Sequence, residues 1–466
     1  MNRPPVYNFF FMDTPSHFSH GAWRMPDNRS TEYNTLDLWV GVAKLAEEAK
    51  IDGIFFADVL GLYETQGKDW GKMVRHAVQF PVSDPMMVLS AMAYATKDVG
   101  LMCTRSVLQT HPFEFARAAA TFDHLSNGRF GWNIVCGASK NGARCMGLPD
   151  VKDHAARYAW AEEFVDVTYK LWEASWDEGA VVKDGEHQIY ADPKRVHKIN
   201  HKSERYSVEG PLDVEPSPQR TPVIFQAGGS GPGVTFAAKH TEGAFLISGN
   251  PEAAKSKVEG MLAEALKAGR RKEDLHFIEG IAIITGATDE EARAKEADIE
   301  ANLNDEAQSL MYQGATGIDL SSYDPETPLE DLLDTAPGMR GGLRLAIDSV
   351  QGRKAVVRDL IRGSTRTYRA VGGPETIVKR IQEFLDAGIT GFNLLPMTVP
   401  GSAEDFCKYV APELKKRGLM QSEYCPGTLR EKMFPGSGPY LNERHPGFKY
   451  RNSIPEGTDA PSDQVL

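Results

Sequence analysis

Cysteine is scarce in this chain of 466 residues. The five present (Cys103, Cys136, Cys145, Cys407 and Cys425) are dispersed, odd in number and without a CxxC pair. That argues against a disulfide framework or a structural zinc site and fits a reducing compartment. No run of eighteen apolar residues occurs, and the patch in MNRPPVYNFFFMD is too short for a signal peptide and soon meets Asp13. The expectation is a cytoplasmic protein that does not span a membrane. Positive charge is in deficit: 52 Lys and Arg face 64 Asp and Glu, a formal net charge of −12. Nucleic acid and anionic membrane are therefore poor partners. There is no GxSxG, Walker loop or HExxH, and no GxGxxG behind the first strand-like run. Those absences remove the signatures of serine hydrolases, P-loop proteins, zinc proteases and dinucleotide binders. His17 and His20 form an HxxH with no glutamate or carboxylate cluster beside it, so no metal is expected.

What is present is a rhythm. Eight short apolar runs rich in β-formers occur at 6–11, 53–58, 100–106, 130–137, 222–228, 243–248, 277–286 and 389–396. Helical patterns lie between them, such as 36–50, 113–126, 154–174, 251–269 and 374–388, with apolar residues recurring at three and four. Runs buried on both sides and each followed by a helix predict a parallel sheet. Eight units predict an α/β fold of the closed (β/α)8 TIM barrel type, with an open doubly wound sheet as the rival. Three segments break the rhythm, at about 60–85, 176–220 and 288–372. They read as insertions at the C-terminal mouth of a barrel spanning 1–417, the last as a lid. Residues 418–466 read as a C-terminal wrapping tail with its last ten residues disordered.

In such barrels the site sits at the C-terminal strand ends. The second run ends in Asp58, the third in Thr104, Arg105 and Ser106, and the fourth carries Asn133 and ends near Cys136 and Gly137. The first leads to His17, His20, Trp23 and Arg24. Asn133 in an apolar strand needs a partner, since an unpaired buried amide costs roughly 1–3 kcal/mol. The stretch QAGGSGPGVTFAAKH (226–240) is a strand, a glycine-rich turn and a helix. It suits a phosphate cradle, with Gly228 and Gly229 allowing close approach and Ser230 adding a hydroxyl; a tight turn without ligand fits equally well. His154 and Tyr158 share a helix face four residues apart, either as donors to a phosphate or ring or as ordinary helix-start residues.

These pieces together resemble the bacterial-luciferase-like flavin monooxygenases, in the branch of nitrilotriacetate, EDTA, dibenzothiophene-sulfone and long-chain alkane monooxygenases. The matching stretches are HGAWR (20–24), FFAD (55–58), Thr104 with Ser106, ARAAATFDHLSNGRFGWNIV (116–135), HAARYAWAEEF (154–164), KLWEAS-WDEGA (170–180), ADPKRVHKINHKSERYSVEGPL (191–212), SPQRTPVIFQAGGS (217–230) and the closing YCPGTLRE (424–431). The resemblance implies a two-component monooxygenase that takes reduced FMN from a separate NAD(P)H:flavin reductase, uses O2 and oxygenates a small organic substrate. A deazaflavin-dependent oxidoreductase and a catalytically silent flavin-binding protein are the alternatives. It implies that Asp58, Thr104, Ser106 and Asn133 meet the flavin ring or ribityl chain, and that His154, Tyr158, Gly228, Gly229 and Ser230 hold the phosphate. It places Phe11, Trp23, Phe56 and Phe245 on the substrate side, with His20 as the candidate catalytic residue, and implies a homodimer or homotetramer. The chain departs from the family where Cys136 and Gly137 replace two hydroxyl residues. It also has no histidine from 241 to 365 except His276, so a family histidine of the lid is missing.

Overall fold

The computed structural model describes residues 3–63, 70–108, 110–137, 139–148, 154–229, 231–333, 340–350, 353–362, 368–451 and 453. The barrel strands are β1 (Val6–Met12), β2 (Gly53–Ala57), β3 (Gly100–Ser106), β4 (Phe130–Val135), β5 (Val223–Gln226), β6 (Gly243–Leu246) and β7 (His276–Thr285). Two more follow, β8 (Tyr368–Gly372) and β9 (Gly391–Leu395). Each of the eight runs read from the sequence is a strand of one parallel sheet. β1 to β7 pair in chain order, β7 pairs with β9, and β9 closes on β1 through Val6 opposite Gly391 and Asn8 opposite Asn393. The fold is therefore a closed eight-stranded barrel rather than an open sheet. β8 was not anticipated. It ends the 288–372 segment and pairs only with the second half of β7, Ile281 to Thr285.

Strand residues alternate between two apolar compartments, because successive side chains leave opposite faces of a sheet. Phe10, Phe55, Met102, Phe225 and Phe245 fill the barrel axis. Phe9, Phe11, Phe56, Cys103 and Trp132 lie in the layer between sheet and helices. In that layer Trp39 of helix α1 (Leu36–Ala49) meets Phe11 at 5.5 Å and Phe56 at 4.8 Å between ring centroids. Phe11 and Phe56, expected on the substrate side, thus stand behind the sheet, and their neighbours Phe10 and Phe55 take the inward positions.

The long segment 288–372 follows β7 at the strand ends, as expected, whereas 176–220 follows a helix and enters β5 at the base, where Gln219 meets Asp123 and Phe130 O, which corrects its expected place at the mouth. Residues 176–220 carry two small antiparallel hairpins, Val181–Asp184 with Ile189–Ala191 and His201–Lys202 with Ser207–Val208. Residues 289–316 form two helices, Asp289–Asn302 and Asp305–Thr316, whose N-caps Thr288 and Asn304 accept from the backbone N–H three residues on. Ile299 and Leu303 of this pair join the apolar column along the axis. Beyond them Tyr312, Leu320, Leu329, Leu343, Val357 and Leu360 form a separate small core. The expectation for the last ten residues lies outside the described residues.

Residues 419–451 pack on the opposite, N-terminal end. Helix Leu429–Met433 opens with a reciprocal capping box between Thr428 and Glu431. Leu429 sits so close to the base that a Cβ on Gly100 would lie 2.6 Å from it. Arg430 is 1 % exposed, donates to both Glu242 oxygens at 2.6 and 2.9 Å, and also reaches the carbonyls of Thr221, Pro222 and Pro439. Removing one partner of a buried ion pair strands the other charge, at a cost of about 3–5 kcal/mol. Arg430→Ala should therefore lose stability on that scale in urea unfolding; a loss below about 1 kcal/mol would mean the base does not depend on this pair.

Candidate active site

A cavity of about 280 Å³ opens at the C-terminal ends of β2, β3 and β4. Its wall includes Asp58, Arg105, Ser106, Cys136, Gly137, Arg157 and Tyr158. Strand ends deliver the first five, and the helix His154–Tyr169 (α4, after α1, Pro85–Ala95 as α2 and Pro112–Leu125 as α3) supplies the last two. Asp58, Ser106 and Tyr158, named from the sequence, meet here. Thr104 and Asn133 sit opposite each other on β3 and β4 just below. Thr104 Oγ1 donates to Phe56 O at 2.9 Å and accepts from Asn133 Nδ2 at 2.8 Å. Asn133 Oδ1 is buried and has no partner among the described residues. The pair pre-positions an amide whose acceptor oxygen is unspent, at a place where leaving it so is costly.

The phosphate-side expectation falls on β5 and the turn behind it. Gln226, the last residue of β5, donates Nε2 to Tyr158 Oη at 3.0 Å, while its buried Oε1 has no partner among the described residues. A Cβ on Gly228 would lie 2.4 Å from Gly233 O, so the turn closes on the next helix (Gly231–His240) only with glycine at that position. Gly229 has open space where a Cβ would stand. His154 opens α4, and its side chain, like the whole of Ser230, lies outside the described residues.

Arg157 received no role from the sequence. Its Nη1 donates to Gly137 O at 2.6 Å, and its buried Nε has no partner among the described residues. Gly137 takes a left-handed φ of 61°, which glycine adopts without strain. The departure at 136–137 thus gives a sharp exit from β4 whose carbonyl is held by an arginine. Burial pushes the Cys136 thiol up to about 12, which favours the neutral thiol packed in the pocket wall. The signal for Arg157 was its place beside Tyr158 in HAARY. Gln226 could have been found as a polar residue closing an apolar strand.

Electrostatics divide the mouth. Arg105 pairs with Asp84 and stands 3.7 Å from Asp58. Burial raises Asp58 to about 6, against the opposing pull of Arg105. Asp13 also rises to about 6 by burial; its Oδ1 accepts from Trp39 Nε1 at 2.9 Å, and its buried Oδ2 has no partner among the described residues. On the β1 side, His20 shares 2.6 Å with Ser16 Oγ through Nδ1 and leaves its buried Nε2 without a partner among the described residues. Burial pushes His20 down to about 3 and His17 well below its usual value, which favours the neutral form of both rings. His17 stacks on Phe18 at 3.6 Å and reaches Phe10 at 5.4 Å. Phe245 meets Phe10 at 5.3 Å on the axis. Trp23 lies half-buried in the short turn Ala22–Arg24 and is not part of the cavity wall.

Polar strand-end groups thus line a pocket at the rim of the barrel, beside an apolar region flanked by two histidines. The chain matches the family model described as luciferase-like monooxygenase over residues 17–391. It is 38 % identical to the long-chain alkane monooxygenase of Geobacillus thermodenitrificans (strain NG80-2), over 97 % of this chain and 99 % of that one. It is 37 % identical to the dimethyl-sulfide monooxygenase of Hyphomicrobium sulfonivorans, over 100 % of this chain and 97 % of that one. The crystal structure of riboflavin lyase with modified FMN and riboflavin superimposes with a TM-score of 0.87 at 33 % identity, covering 97 % of this chain and 100 % of that one. The chain belongs to the luciferase-like monooxygenase family, and it is an enzyme of the flavin-dependent monooxygenase class. No helix among the described residues is long and apolar enough to cross a membrane.

The raised carboxyls set a sign for pH dependence. Asp58 moves from 3.8 to about 6, so the native state binds its proton more tightly than the unfolded chain. Its favourable share of stability is complete below about pH 4 and is lost as pH rises through about 6. Asp58→Asn cannot ionise. It should match the wild type below about pH 4 and melt higher than the wild type above about pH 6. Thermal melts across that range check it; a lower melting point above pH 6 would mean that pairing with Arg105 outweighs burial.

Proposed function

We propose that the chain is the oxygenase component of a two-component system that receives reduced FMN from a separate NAD(P)H:flavin reductase and uses O2 to oxygenate a small organic substrate. The observation carrying this reading is a set of buried, unspent polar atoms: one on Arg157 in the wall of the rim pocket, one on Gln226 bonded to the wall residue Tyr158, and one on Asn133, two residues before Val135 of that wall. Such atoms fit a ligand rich in hydrogen-bonding groups with an anionic end. In this reading Asp58, Thr104, Ser106 and Asn133 hold the ring and ribityl chain. Tyr158, Gly228 and Gly229 hold the phosphate with His154 and Ser230, and Arg157 adds a positive charge. When bound, the reduced flavin supplies two electrons; one oxygen atom of O2 passes to the substrate and the other leaves as water.

The chain's own residues then bind, orient and exclude water. Ile299 and Leu303 cap the axis with apolar surface. The lid is tied to the histidine loop: Asn304 N donates to His20 O at 2.8 Å, and Gln308 Nε2 donates to Phe18 O at 2.9 Å. Gly314 of the second lid helix rests against Tyr63, which lines the cavity. A dry chamber keeps reactive oxygen from being lost to water. His20, neutral and fixed at Nδ1 by Ser16, presents Nε2 as a hydrogen-bonding group that holds or passes a proton. Phe245 and Trp23 belong to the substrate side, joined by Phe10 and Phe55 in place of Phe11 and Phe56. Self-association into two or four copies is part of the same reading.

With NADH alone the purified protein should oxidise nothing; with NADH, FMN and an unrelated flavin reductase it should form product. Turnover without a reductase would contradict the two-component reading. Tyr158→Phe should weaken FMN binding about tenfold or more, as loss of a hydrogen bond to a charged group implies; titration of flavin fluorescence measures it, and unchanged affinity would remove Tyr158 from the phosphate site. His20→Ala should keep FMN affinity but release more hydrogen peroxide per product. Equal coupling in mutant and wild type would take His20 off the catalytic list.

A further inference from the structure

The loop that carries the two histidines is held from outside the barrel. Each main-chain carbonyl from Ser16 to His20 accepts a hydrogen bond. Ser19 O is bonded locally, by Ala22 N at 3.0 Å. The others are held by the insertions. The lid takes Phe18 O through Gln308 Nε2 and His20 O through Asn304 N. A single residue of the 60–85 segment, Gln79, takes the remaining pair: its N donates to Ser16 O at 3.2 Å and its Nε2 to His17 O at 2.8 Å. Ser16 in turn holds His20 Nδ1. Gln79 therefore braces both rings through their own main chain.

Gln79 is 6 % exposed and takes a left-handed φ of 47°, a region that residues with a Cβ enter only at a cost. A carbonyl only accepts, so Nε2 must face His17 O and Oε1 must face the other way. There Oε1 accepts from Tyr63 Oη at 3.1 Å. Tyr63 stands in the wall of the rim pocket and lies against Gly314 of the lid helix Asp305–Thr316, where a Cβ on the glycine would come within 2.5 Å of the tyrosine side chain. The same lid helix is joined to the 60–85 segment a second time. Met73 and Val78 share a small core with Ala307 and Leu310, and Glu306 pairs with Lys72 at 2.6 Å and with His76 at 3.0 Å. Pocket wall, lid and histidine loop thus meet at one buried amide.

We propose that Gln79 is a positioning residue for His17 and His20, and that Tyr63 makes the setting of their loop respond to a flavin bound in the rim pocket. Gln79 is not part of the cavity wall and acts through the loop. A ligand shifts a loop only through contacts that differ between its settings, and the Tyr63 side chain is what the pocket and the Gln79 brace share. This rests on the FMN reading above and adds to it a link between cofactor uptake and the placing of the histidines.

Hydrogen exchange of the full chain, read by mass spectrometry on peptides covering 16–24, tests the link with FMN absent and at saturation; flavin fluorescence establishes the saturation. In the wild type FMN should slow exchange of this stretch about threefold or more. Tyr63→Phe keeps the ring against Gly314 and both bonds from Gln79 to the loop. It should exchange like the wild type without FMN and lose the slowing with it. Gln79→Leu removes the brace itself, so 16–24 should exchange faster in both states and FMN should no longer slow it. A residue that merely supports the fold would speed exchange without touching the response to FMN. Slowing that survives in either variant, or none in a wild type saturated with FMN, overturns the proposal. Should Gln79→Leu fail to fold, Tyr63→Phe decides alone. A wild type that takes up no FMN sinks the parent reading and the link with it, whereas uptake without slowing sinks only the link.

Discussion

The pairing of the first strand with the last is the contact on which the rest of this molecule depends. Asn8 and Asn393 stand opposite each other across it, and Asn8 Nδ2 donates to Asn393 Oδ1 at 3.0 Å inside the barrel. A parallel sheet closed on itself has no free edge and one enclosed axis. Closure therefore creates the interior column and aligns the ends of β2, β3 and β4 so that their polar residues share one cavity. A long, weakly patterned chain reaches this state because each strand is buried on both sides. One register then satisfies both compartments at once, since a one-residue slip would turn every side chain over.

The two ends of the barrel treat charge differently. At the base, Arg430, Glu242, Gln219 and Asp123 satisfy one another in full burial. At the mouth, buried atoms on Asn133, Gln226, Arg157, His17 and His20 are left unspent. Buried polar groups are normally paired, and unpaired ones also occur at the base, on Arg3 Nη1 and Arg270 Nε, so it is the grouping of several around the rim that makes that end the candidate site. The cavity wall includes two arginines, Arg105 and Arg157, while the axis beside it is a packed apolar column.

Much of this was legible beforehand. The eight strands announced themselves as apolar runs, and the helices α1 and Pro374–Asp386 as amphipathic patterns within two residues of their observed bounds. Asp58, Ser106 and Tyr158 were named and do line one cavity. Other features were hidden for identifiable reasons. β8 reads Tyr368–Arg369–Ala370–Val371–Gly372, too short and too broken by Arg369 to stand out, and it is a strand only because the end of β7 offers a free edge. Arg157 looks like any surface arginine of a helix until Gly137 O is seen beside it.

The amino-acid sequence by itself determined the class of fold, the order of its units, the family and the polar residues at the strand ends. The fold class and the order of units follow from local periodicity, the strand-end groups from residue types, and the family from the resemblance of particular stretches such as HGAWR and HAARYAWAEEF. Which of two adjacent phenylalanines faces the axis was decided only by the tertiary structure. In Phe9–Phe10–Phe11 and Phe55–Phe56 every position is equally apolar, so the pattern has no phase of its own. Phase came from the register in which distant strands paired to close the ring. The tertiary fold also set Arg157 in the wall of the pocket beside Gly137 and Gln226 against Tyr158.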